Sequence, residues 1–130
     1  MMLLRKYMSL LGVGSAIIDL ILPKETYKRG ELINGYFHVK GGTIEQQLRR
    51  IDSDLVLIDA TTKTEKVIDT ATILSTKLLR SEEASKISFT FKLPENIPVS
   101  SEHISYRFKT RLTFNEGVES KDQDIIQVIS

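Results

Sequence analysis

Two stretches of strict period-two alternation limit what this chain can fold into. Ile87, Phe89, Phe91 and Leu93 alternate with Ser88, Thr90 and Lys92, and Tyr106, Phe108, Thr110, Leu112 and Phe114 alternate with Arg107, Lys109 and Arg111. Successive side chains of an extended chain point to opposite sides, so each stretch reads as a strand with one apolar and one polar face. Ile33, Gly35, Phe37 and Val39 form a third such set against Asn34, Tyr36 and His38. Segments 16–22, 51–59, 67–74 and 125–129 are rich in Ile, Val, Leu and Thr, the residues that suit a pleated surface. The chain therefore contains about seven strands.

The connectors between them are turn-like. Residues 23–30 run from a Pro to a Gly, and Gly41-Gly42 and Asn115-Glu-Gly117 supply residues that tolerate positive φ. Pro94 and Pro98 bracket a longer loop, because proline has no N–H for a sheet ladder. Residues 44–50 are compatible with either a helical or an extended reading. No βαβ spacing is present, so the pattern predicts an antiparallel, immunoglobulin-like β-sandwich over residues 15–130. Ahead of it, Leu3, Leu4, Tyr7, Met8 and Leu11 share one helical face with Arg5 and Lys6 off it, which predicts a short amphipathic helix over 1–14. An apolar face on so short a segment needs a surface to fold against. The expected surface is its own sandwich or a neighbouring copy, with weak membrane-surface contact as the rival.

Composition narrows the function. At 130 residues with a net charge of +1, the chain lacks the basic excess that drives nucleic-acid binding. It has no cysteine, which removes disulfides, thiolate metal sites and thiol nucleophiles and fits a reducing, cytoplasmic setting. Arg5 and Lys6 before residues 8–16 faintly resemble a signal peptide, but Gly12 and Gly14 interrupt the apolar stretch. No G-x-S-x-G elbow and no phosphate loop occurs. Of the two histidines, His38 falls on the polar face of its strand and His103 in a loop, and both are expected at the surface. Asp52 and Asp54 share a strand face and are expected to be solvated, as are Glu82 and Glu83 in a connector. No catalytic residue, cofactor or metal site follows from these residues. One charged constellation rises above the rest. Arg107, Lys109 and Arg111 form a row of cations at i, i+2, i+4 that could meet phosphate or carboxylate groups of a partner, or be the wet face of an outer strand.

The chain also resembles the bacterial sporulation-control family (sporulation stage-zero protein M). The resemblance is carried by Gly12-Val-Gly14 leading into Ala16-Ile-Ile-Asp-Leu20, by Lys24-Glu-Thr-Tyr-Lys-Arg-Gly-Glu31, and by Ile33-Asn-Gly-Tyr-Phe-His-Val-Lys-Gly-Gly42 followed by Glu45-Gln-Gln-Leu48. Ile87-Ser-Phe-Thr-Phe-Lys-Leu-Pro94 and Asp124-Ile-Ile-Gln-Val128 continue it. It implies an arrestin-like sandwich in a cytoplasmic, non-enzymatic regulator that acts through protein contacts, itself included. Members of the family generally continue into a second, similar sandwich. The leading expectation is thus a regulatory protein-interaction domain. A small-ligand or carbohydrate-binding sandwich is the alternative, weakened by the absence of Trp. A deep pocket holding a perturbed carboxylate pair would instead speak for an enzyme.

Overall fold

A computed structural model describes residues 16–117 and 119–130. The expected N-terminal helix, with Leu3, Leu4, Tyr7, Met8 and Leu11, lies outside them. The described residues form nine strands and no helix: β1 Ile17–Ile21, β2 Thr26–Lys28, β3 Leu32–Lys40, β4 Gln46–Asp59, β5 Thr64–Leu74, β6 Leu78–Leu79, β7 Ala84–Lys92, β8 Ile104–Phe114 and β9 Glu119–Ile129. The seven expected strands are all present. The two additional ones are pieces of two and three residues inside expected connectors, too short for any alternation to reveal. Residues 46–50 are extended as the start of β4, so the helical option for that stretch does not hold.

The strands form two sheets. A small antiparallel sheet has the order β1-β3-β7, and a larger one runs β2-β9-β8-β4-β5, with β6 paired to the start of β4. All pairings are antiparallel except β2 with β9. The apolar parities meet in the middle: Phe37, Phe89, Phe91, Phe108, Leu112 and Phe114 are each at most 5% exposed. Phe89 packs edge-on against Phe37 and Phe108 at centroid distances of 5.1 and 5.4 Å, and Phe91 packs edge-on against Phe108 at 5.1 Å. Edge-to-face geometry sets the positive ring edge against the negative face, which adds to the stabilisation from burial alone.

The chain changes sheet early. After β1 in the small sheet it turns through residues 22–25 and enters the large sheet as β2. Tyr27, 1% exposed, anchors that short strand. The turn that follows is closed by Gly30 at φ 77° and by Glu31, whose carboxylate accepts the Lys28 N–H at 2.9 Å and pairs with Lys24 at 2.6 Å. The residues that carry the family resemblance here thus have a structural role. Gly35 is likewise fixed by packing: a Cβ there would lie 2.4 Å from the Ile21 carbonyl oxygen on β1.

Phe108 touches both Phe89 and Phe91 across the sandwich. Phe108→Ala is therefore expected to lose about 3–5 kcal/mol, the usual cost of truncating a fully buried phenylalanine. A denaturant titration at constant slope measures it.

Candidate functional site

The predicted cation row is where alternation places it, on the outer face of the large sheet, but β8 is a central strand between β4 and β9 rather than an outer one. Each cation meets an acceptor on another strand. Arg107 Nη1 donates to Gln123 Oε1 at 3.2 Å. Lys109 reaches across β4 to Glu65 Oε2 at 2.9 Å, and Arg111 Nη2 donates to Asp52 Oδ2 at 3.4 Å. An incoming phosphate or carboxylate would have to displace these partners.

Asp52 departs from the sequence expectation: it is 4% exposed rather than solvated. Burial works against its ionisation. Hydrogen bonds from Thr72 and Arg50 and the charges of Arg50 and Arg111 outweigh it, and its pKa falls below the ordinary carboxylate value. Asp54 accepts from Thr70 Oγ1 at 2.8 Å. Glu82 and Glu83 occupy a tight connector as expected, Glu82 at φ 61°. His38 and His103 are both exposed.

The other notable group of side chains is one that sequence reasoning missed. On β9, Asp122 and Asp124 share the inward parity of Ile126 and Val128, and they stand opposite Thr110 and Phe108 of β8. Thr110 in turn hydrogen-bonds Ser53 of β4 at 3.0 Å, both side chains buried. A polar row therefore crosses the inner face of the large sheet and ends in carboxyls beside β1. There Asp122 Oδ2 accepts the Leu20 main-chain N–H at 2.9 Å, linking the two sheets. Asp19 of β1 joins them, and one oxygen of each of the three carboxyls lies within 4.8 Å of the others. The signal was available: counting back by two from Val128 and Ile126 gives Asp124 and Asp122. Aspartate is rarely buried, so residue type gives no hint of this inward position.

Electrostatics sets the protonation of this group. Burial, a hydrogen bond with Asp122, and the charges of Asp122 and Asp19 push Asp124 up to about 7. Its Oδ2 is buried and receives no hydrogen bond, as suits an oxygen that carries the proton. Asp19 is also raised, by burial, by the Asp122 charge and by a hydrogen bond to it, with His38 drawing it down. A groove of about 510 Å³ opens here between residues 19–25 and Gln123–Ile125. Three carboxyl oxygens would supply half or fewer of the ligands a calcium ion takes, and one of them is engaged by Leu20.

These features define an all-β, two-sheet sandwich, arrestin-like in type, with charged outer faces and free sheet edges. Comparison with known proteins carries this further. A family model described as SpoOM protein matches residues 4–130, and the chain belongs to that sporulation-control family. It is 32% identical over 123 residues to "Sporulation-control protein spo0M" of Bacillus subtilis, a match covering 90% of this chain and 48% of that protein. The crystal structure of Spo0M from Bacillus subtilis superposes with a TM-score of 0.81 at 30% identity, covering 91% of this chain and 51% of that one. The chain thus spans about half the length of the relatives it matches. A variant superoxide reductase (neelaredoxin) from Ignicoccus hospitalis shares the fold alone, with a TM-score of 0.51 at 12% identity over 89% of this chain and 82% of that one. Among the described residues, no helix is long and apolar enough to cross a membrane.

Two outcomes follow from the charged groups. Asp52→Ala leaves Arg50 and Arg111 without their shared acceptor, and is expected to cost about 1–3 kcal/mol in a urea titration. The second concerns pH. Asp124 titrates at about 7 in the folded chain and at about 3.9 when unfolded, so between these values the folded state holds the extra proton. Its stabilising contribution is complete below about pH 4 and is lost as pH rises through about 7. Melting temperature is therefore expected to fall over this range, and Asp124→Asn to remove that part of the slope.

Proposed function

We propose that the chain is a non-catalytic regulatory domain of the sporulation-control family that binds extended segments of partner proteins along the free edge of β5. The observation that carries this reading is β5 itself. It is an 11-residue strand at the end of the large sheet, and among the described residues it pairs only with β4. Residues 70–76, Thr-Ala-Thr-Ile-Leu-Ser-Thr, contain no charge and no proline. Edge strands are usually protected by such residues, and an unprotected one is a template for strand addition. Val67 is 54% and Leu74 77% exposed, while Ile68, Ala71 and Ile73 are only partly covered by the core. An added strand would gain main-chain hydrogen bonds and cover that apolar strip. Protection is confined to the other half, where the pairing register with β4 slips at Leu55/Val56 opposite Val67–Asp69, and where Glu65, Lys66 and Asp69 lie.

The groove beside Asp19 supports binding of sugars less well, since no aromatic ring lines it. Its carboxyls also do not form the pair an enzyme of the glycosidase kind would use. Such pairs flank a substrate about 5–9.5 Å apart, whereas these oxygens lie within 4.8 Å of one another and share protons.

Val67→Lys combined with Leu74→Lys tests the reading, because lysines at edges block strand addition and exposed substitutions leave stability nearly unchanged. Cross-linked capture from extract of the source cells should yield a discrete set of proteins with the native chain and lose it with the variant, at equal melting temperatures. Retention of the same proteins by the variant would exclude the β5 edge.

A further inference from the structure

We propose that Asp19, Asp122 and Asp124 form a proton-gated latch between the two sheets, closed while the three carboxyls share a proton and released from β9 at β1 when that proton leaves. The geometry carries it. β1 is an edge strand of the small sheet, and its Leu20 N–H is donated across the seam to Asp122 of the large one. Asp122 accepts that N–H through Oδ2, while Asp124 beside it has a buried Oδ2 that no donor meets. A proton on Oδ2 turns an orphaned acceptor into a donor toward Asp122. Its removal sets a second, partly buried anion against Asp122, with Asp19 beside them.

The surroundings offer little to offset that charge. From β8, Thr110 and Phe108 face Asp122 and Asp124, and neither carries charge. From β3, His38 stands opposite Asp19 and draws its pKa down. In the connection after β1, Lys24 is already paired with Glu31 at 2.6 Å, and Glu25 adds another carboxylate to the groove. Relief therefore comes from moving β1 away from β9, which hydrates all three groups. The raised titration of Asp124 sets the change close to neutral pH. The latch is independent of what the β5 edge binds, since it lies at the other side of the large sheet.

The Leu20 amide reports the latch directly. Its hydrogen-exchange protection factor, corrected for the intrinsic pH dependence of exchange, is expected to fall at least about tenfold between about pH 5.5 and about pH 8. Protection of the Phe108 amide on central β8 should not change in step. In Asp124→Asn the Leu20 protection should be the same at both pH values. Asp19→Asn, altered at an exposed side chain, should move the fall to lower pH, because one of the charges that raises Asp124 is gone. Leu20 protection that is unchanged with pH in the native chain, that falls equally in Asp124→Asn, or that falls together with Phe108 would overturn the latch. If Asp124→Asn does not fold, the native profile and the Asp19→Asn shift decide the matter.

Discussion

The contact on which the rest of this molecule depends is the set of edge-to-face phenylalanines between the sheets. Phe37, Phe89, Phe91 and Phe108 come from β3, β7 and β8, so three strands in two sheets are registered against one another by a few rings. Because side chains alternate strictly along a strand, fixing one ring inward fixes the destination of every neighbour. Phe108 inward puts Arg107 and Lys109 outward, and Ile33 inward puts Asn34 on the wet side. A slip of one residue would bury Arg107, Lys109 and Arg111 together, so the charged outer face also specifies the register.

Where alternation was unbroken, the fold was readable in advance. The six core residues expected from β3, β7 and β8 are all buried, and the seven longer strands are all present, with β4 and β9 beginning earlier than the segments 51–59 and 125–129 predicted. What escaped has physical reasons. β2 depends on one buried tyrosine and a pairing with a strand about 100 positions away, which leaves no local pattern. Asp52 looked solvated because its type is usually exposed, yet Arg50, Thr72 and Arg111 converge on it from three strands. Asp122 and Asp124 were hidden for a related reason: the inward parity of β9 begins in carboxyls before it becomes Ile126 and Val128. Residue type misled in both cases; parity places Asp122 and Asp124 inward but leaves Asp52 on the outer face, where its partners cover it.

The sandwich divides its surfaces by chemistry. On the outer face of the large sheet, acids on β4 and β5 answer Lys109 and Arg111 of β8, and Gln123 of β9 answers Arg107. One long margin is closed by carboxyl hydrogen bonding and by β2, while the other ends in the bare main chain of β5. Polar side chains cover the outer faces, and main-chain groups are left at the margins.

The parallel pairing of β2 with β9 has a consequence for how the chain is made. Tyr27 emerges early in synthesis, but its partner Val128 is about 100 residues later. β1 waits as long for Asp122. Until β9 is complete, the first turn of the domain has an apolar tyrosine and an unsatisfied strand and nothing to set them against. Closure of this domain therefore resembles drawing a cord through both hems at once: the last strand of the sandwich seats its first ones, and the transition should be slow and all-or-none, as expected when the decisive contacts join distant parts of the chain.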